Sequence, residues 1–578
     1  MKFNNKIKTI LVAAGLSLSA CTNHFDELNQ DPNRPGTIEP GQQFGWSIAK
    51  TAGDSYENWR SNLIYASLFT QQLAGTSTSW SGNYYTLNSG YNNSFWERNF
   101  GHPVRNIEQL IFDLKKLQAE QAEDGNADRQ EDRLAMADVW KVFIYHRLTD
   151  LYGPVPFNEA GRAVTEGITS PRYESERDIY LGTDENEGLL EILERAAITL
   201  KESDPGRDNF GNADIIFQSN INKWEKFANS MILRLAMRIS NQEENTAKEY
   251  ITRAIERGVM QGNDDTAFIT HENGGDPYGI TNNGVSQVFL ENGGVSGHHF
   301  RFSDHYMNVL KDYNAGAIDP RLTYLTRVYQ SVTDNEGNTT IHEFDFDAAE
   351  PNSYMGLKNG LESDQARDLA KEAGFDDIYM KDIGHMGFPQ PNQRFMVTRE
   401  APTLFMTYAE VAFLQAEAAV KWGIGGDANS HYKNGVQAAM EMLDLFNQGG
   451  TLVPRGDIQA YMDQLPDLGT NDFYSRQYGG STAEDQQLDE IHTQKWIALL
   501  FNGYEAYADW RRTHLPSFVT DNQVNHPQGL TQGRIPGRLR YPEIEQGVNG
   551  PNWAQGVQML SNGRDDFSND LWWAKKSF

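Results

Sequence analysis

The 578-residue chain carries 79 acidic and 50 basic side chains, a net charge of −29. Such a surface repels phosphate backbones, which argues against a nucleic-acid partner and against electrostatic adhesion to anionic lipid headgroups. One cysteine excludes an internal disulfide, and 12 Trp, 25 Tyr and 29 Phe are enough aromatics for a large core with some left for surfaces.

Residues 1–20 have the pattern of an export signal: Lys2, Lys6 and Lys8 precede an apolar run from Ile10 to Leu18. That run is shorter than the roughly 20 residues a membrane span needs. Leu18-Ser19-Ala20-Cys21 resembles a bacterial lipobox, which makes Cys21 the expected lipid anchor. Residues 21–42 follow as a lipidated anchor and flexible tether, with prolines at 32, 35 and 40 and acidic Asp26 and Glu27. The membrane is then reached through the lipid anchor only.

Residues 43–578 are expected to form a single, mainly α domain. Ile107, Leu110, Ile111, Leu114 and Leu117 recur at helical spacing, as do Ala137, Trp140, Ile144 and Leu148. Leu189, Ile192, Ala196 and Leu200 form another stripe, with Asp184, Glu185 and Glu187 expected in its first turn. Further stripes run through Trp224, Phe227, Met231 and Leu235, then Ala247, Tyr250 and Ala254 with Gly258 as a stop. Val411, Leu414, Ala418 and Trp422 share a helix with a small-residue face at Ala409, Ala412, Ala416 and Ala419. Two packing faces on one helix predict degenerate tetratricopeptide-like hairpins.

Long irregular insertions interrupt this scaffold at 72–103, 262–303 and 328–400, the last holding an alternating stretch near 340–346 that predicts a short strand or hairpin. Their aromatic and histidine side chains are the candidate ligand-binding residues: Trp80, Tyr84, Tyr85, Tyr91, Trp96, Tyr278, His298, His299 and Phe300.

Several stretches together resemble one family. Asp150-Leu-Tyr-Gly-Pro-Val-Pro-Phe-Asn-Glu-Ala160, the helix from Trp224 to Ser240, and Tyr408-Ala-Glu-Val-Ala-Phe-Leu-Gln-Ala-Glu-Ala-Ala419 are similar to segments of SusD/RagB-like nutrient-binding outer-membrane lipoproteins. So are Ile491 to Thr513 and the closing Ile535-Pro-Gly-Arg-Leu-Arg-Tyr541. The resemblance implies a tetratricopeptide-like helical scaffold, a place on the outer membrane facing the exterior, and a lid over a SusC-like TonB-dependent transporter. It also implies capture of an oligomeric nutrient. Glycan is preferred because sugar rings offer apolar C–H faces to Trp and Tyr; oligopeptides are the competing ligand.

A surface glycosidase or an adhesin are the competing roles, and no catalytic residue is assigned. Glycoside hydrolysis needs two carboxylates about 5–10 Å apart, and 79 acidic residues single out no such pair. No Gly-x-Ser-x-Gly, HExxH or phosphate loop occurs. Asp124 to Asp128 starts like a calcium loop but has Arg129 where glycine and Ala135 where an acid is needed, so no cofactor and no metal, a structural calcium included, has motif support. Arg234, Arg238, Arg511, Arg512, Arg538 and Arg540 are expected to pair with acids such as Glu410, Glu417, Glu505 and Asp509 between helices.

Overall fold

The computed structural model describes residues 38–75, 81–121, 127–274, 281–291, 300–314, 316–333, 336–344, 355–372, 388–471, 482–521 and 526–577. The export signal, Cys21, Trp80, the calcium-like turn at 124–126, Tyr278, His298 and His299 lie outside them.

The fold is mainly α, built from helices paired in sequence order. Helix α1 (Pro40–Thr51) packs on α2 (Arg105–Gln121), which pairs with α3 (Ala127–Tyr152). Helix α4 (Leu189–Glu202) lies between α3 and α5 (Ile221–Ile239), and α5 pairs with α6 (Glu244–Arg257). Gly258 ends α6 at φ +113°, a backbone region open to glycine. Asp184, Glu185 and Glu187 fall short of the first turn of α4, which starts at Leu189 with only Glu191 inside it. Glu187 instead meets Arg195 one face along.

After α7 (Gly284–Glu291) the chain returns to the scaffold with α8 (Tyr408–Trp422), α9 (Ala428–Glu441), α10 (Ala483–Ala498) and α11 (Gly503–Thr513). Thr407 caps α8 by accepting from the Glu410 amide, and Gly423 closes it in the left-handed region. Ala409, Ala412, Ala416 and Ala418 are fully buried, and α8 packs against both α9 and α10. Small side chains let two neighbours approach at once, and Gly435 of α9 sits where a Cβ would lie 2.6 Å from the Phe413 ring.

The strands are few and short. They include β1 (Leu73–Gly75), β2 (Phe300–Phe302), and the expected hairpin, β3 (Thr326–Thr333) with β4 (Thr339–Phe344). The closing stretch packs on the Asp150–Phe157 turn: Leu539 N donates to Leu151 O at 2.7 Å and Tyr541 Oη to Pro154 O at 2.7 Å. Two of the motif segments thus form one structural unit across nearly 400 residues of sequence.

Candidate functional site

A dense network of buried ion pairs among the described residues is structural. Arg234 of α5 forks Glu410 of α8 with two contacts of 2.7 Å, and Arg238 reaches Glu505 of α11 at 2.7 Å and Asp150 of α3 at 3.2 Å. Arg512 of α11 forks Glu417 of α8 at 2.6 and 2.7 Å. Arg511 departs from the expected pairing: it donates to the Gly537 carbonyl at 2.9 Å and lies over Trp573. Arg538 pairs with Asp565, an acid the sequence did not single out.

Within this network Glu417, His492 and Asp509 bring potential metal-ligating atoms within 4.8 Å of one another. Burial pushes the Glu417 and Asp509 carboxyls up, but the cations outweigh it and hold both well below the usual range. Burial likewise lowers the His492 imidazole, and the two carboxylates outweigh it and raise it. Arg512, Lys495 at 3.0 Å and the His492 ring at 2.8 Å from Asp509 therefore already partner these acids. The donor set suits an ion-pair knot joining α8, α10 and α11 better than a dication.

The insertions are rooted at one place. In the β1–β2 ladder Gly75 stands opposite Phe300. The chain toward Trp80 leaves that end of the ladder, and the chain from His298 and His299 enters it. Asn83 holds the root: its Oδ1 accepts from the Gly75 and Gly360 amides, each at 3.2 Å. Asn359 Nδ2 donates to Leu73 O at 2.8 Å. Ala74, Leu357, Ala366 and Phe388 add a small apolar cluster of their own beside the ladder.

This tight root corrects part of the expected aromatic face. Tyr84 is 2 % exposed, its ring stacked 4.2 Å from His526 and its hydroxyl donating to Leu361 O. Tyr85 is 1 % exposed, edge-on to Phe69, and Phe300 is fully buried near Phe289. These three rings pack the loop onto the helices and offer no face to a ligand. The cause is Gly82, whose missing side chain lets the Ser81–Tyr84 turn lie directly on the Ile64 carbonyl.

Trp96 is also packed, against Tyr152, Tyr173 and Tyr541, but it lines a cleft of about 390 Å³ with Phe100, Arg105, Glu545 and Asn549. That volume is at the lower end for a ligand pocket. Burial pushes the Glu545 carboxyl up against the hydrogen bonds it receives, including one from Tyr173 Oη at 2.8 Å. A second cavity, of about 50 Å³, between Asn58, Asn62, Arg147 and Tyr504 has room only for waters.

Tyr91 is the described candidate that keeps a partly exposed ring, and it is not alone. Its ring lies 5.5 Å from Trp59, which is 6.5 Å from Tyr56, 38 % exposed. Arg60 sits directly over Tyr56, with its guanidinium carbon 5.4 Å from the rings of both Trp59 and Tyr91. Arg98 approaches the same Tyr56 ring at 5.4 Å and pairs with Asp54 at 3.2 Å. Trp59 and Arg60 ride on a π-helical stretch, Asn58–Ser67, and Tyr91 comes from the short helix Ser89–Asn92. Wide π turns re-aim side chains and recur at functional sites. The sequence reading missed this cluster; the spacing Tyr56-x-x-Trp59-Arg60, which puts two rings and a cation one turn apart, is the signal that could have found it.

Compared with known proteins, residues 32–542 match the SusD-like family described as "Starch-binding associating with outer membrane". The chain belongs to the SusD-like family. Solved structures agree along its length: a chitin-binding protein, 26 % identical, superposes with a TM-score of 0.71 over 93 % of this chain and 100 % of its own. A SusD-like protein from Bacteroidetes AC2a, 25 % identical, reaches 0.73 over 93 % and 100 %. A SusD-like protein from Bacteroides thetaiotaomicron, 24 % identical, shares the fold at 0.65 over 93 % and 99 %. No curated protein matches the chain. SusD-like proteins are outer-membrane-associated binding proteins, and no helix among the described residues is long and apolar enough to cross a membrane.

Proposed function

We propose that this SusD-like chain is a cell-surface lipoprotein, anchored through Cys21, that captures an oligomeric glycan. It then passes the glycan to a SusC-like TonB-dependent transporter for which it is the lid, and it performs no catalysis. The observation that carries this reading is the family match across 32–542, whose description joins starch binding to the outer membrane. The 26 % identical chitin-binding relative supports glycan over peptide. The partly exposed rings of Tyr56, Trp59 and Tyr91 supply a stacking surface of the kind sugars need. A tether at 21–42 lets a lid swing while attached.

The transporter partnership is tested by purifying a tagged copy from its native envelope in mild detergent. A large outer-membrane β-barrel is expected to co-purify in stoichiometric amount. Recovery of the protein alone, under conditions that preserve other envelope complexes, would favour an adhesin.

A further inference from the structure

The cluster around Tyr56 carries a charge that stacking alone does not need. Arg60 has no carboxylate at ion-pair distance among the described residues. Its hydrogen bond to the Gly90 carbonyl is a long one, 3.4 Å, and its Nε is buried without a partner. The Tyr56 ring centre lies 2.9 Å from the guanidinium carbon and those of Trp59 and Tyr91 lie at 5.4 Å, so three rings restrict where the donor fork can go before any ligand arrives. Arg98 lies close enough to disfavour the Arg60 charge, and the carboxylate at ion-pair distance from the two is Asp54, on Arg98.

The acids nearby do not cancel this. Glu57 is buried, and burial, with Asp54 beside it, pushes its carboxyl up to about 8, so it is uncharged at neutral pH. Glu97, on the same short helix as Arg98, is exposed and solvated. Burial, and then Lys50, Arg105 and Arg98 against the opposing Asp54, push the His102 imidazole down. A chain of net charge −29 thus holds a local cationic spot set among aromatic faces. The general negative field is screened beyond about 8 Å at physiological salt, whereas contacts at the fork are not.

We propose that Arg60, clasped by Tyr56, Trp59 and Tyr91 with Arg98 beside it, binds the carboxylate of an acidic saccharide, a uronic-acid residue whose ring stacks on the neighbouring aromatics. The guanidinium fork matches a carboxylate with two parallel hydrogen bonds, and sugar C–H faces match the rings. This rests on the glycan-capture reading above and adds the class of sugar.

Trigalacturonate and its methyl ester serve as probes in calorimetric titration of the mature protein, beside neutral starch- and chitin-derived oligosaccharides. Trigalacturonate is expected to bind at least tenfold more tightly than its ester. Arg60→Met is expected to lose that tenfold preference, while Arg60→Lys, which keeps charge without the fork, keeps only part of it. A thermal melt close to that of the parent protein establishes that each variant folds. Equal binding of trigalacturonate by parent and Arg60→Met, or none by the parent, overturns the proposal. So does flotation of the parent with phosphatidylglycerol vesicles that is lost in Arg60→Met without any saccharide preference, since the fork then serves a lipid headgroup. Binding of neutral saccharides alone removes only the Arg60 site; binding of no saccharide removes the glycan reading itself.

Discussion

Glu57 shows how a single side chain sets conditions for its neighbours. It is 4 % exposed, and its carboxyl titrates near 8 in the fold against an ordinary 4.5. Between those values the folded state holds a proton that the unfolded state has released. Stability from this group is therefore present below about 4.5 and lost as pH rises through the window toward 8. Glu57→Gln keeps the neutral form at every pH. Parent protein is predicted to lose ~2 °C or more of melting temperature relative to Glu57→Gln between pH 5 and pH 8. A melting difference that stays constant across that range would contradict the buried, neutral carboxyl. The ion-pair knot at Glu417, His492 and Asp509 obeys the opposite rule: there the cations win over burial, and the acids stay charged.

At the scale of elements, the root of the insertions depends on one close approach. An ideal Cβ on Gly82 would lie 1.5 Å from the Ile64 carbonyl oxygen and 2.6 Å from its carbon, backbone atoms that cannot step aside. Gly82→Ala must therefore lift the Ser81–Tyr84 turn and pull Asn83 away from the Gly75 and Gly360 amides. A loss of about 1–3 kcal/mol in stability is predicted, by overpacking, with weaker ligand binding measured in the same preparation. A variant that melts and binds like the parent would show that the root is not needed.

The same elements show what was legible in the sequence. The helices were, because Trp224, Phe227 and Met231 or Val411 and Leu414 write a 3.6-residue period into a local stretch. So was the existence of arginine–carboxylate contacts between helices, though not which helix meets which: Arg234 pairs with Glu410, while Arg511 and Arg538 turn to the Gly537 carbonyl and to Asp565. The insertions were legible only as insertions. Gly, Ser and Asn around Tyr84 and Tyr85 read as exposed loop, yet Gly82 uses its lack of a side chain to bury both rings. Tyr56, Trp59 and Arg60 sit in a stretch that reads as ordinary helix. Only the π-helical geometry and the distant Tyr91 turn them into one surface, and no local pattern encodes a contact across some thirty residues of chain.

For the whole molecule, net charge and local chemistry are separate questions. A charge of −29 argues against anionic partners in general, while the Arg60 and Arg98 pair makes one spot where a carboxylate fits. The scaffold itself, with its buried forks and alanine face, is built to hold still. The central claim, that this SusD-like chain binds a glycan and does not cleave it, is tested most directly by one measurement. Calorimetric titration of the mature protein against neutral and uronate oligosaccharides and a peptide pool is followed by chromatography of each recovered ligand. The account predicts saturable binding of at least one oligosaccharide, weakened by Trp80→Ala or Tyr91→Ala, with the saccharide recovered intact. Binding of peptides alone, or recovery of shortened saccharide, would contradict it.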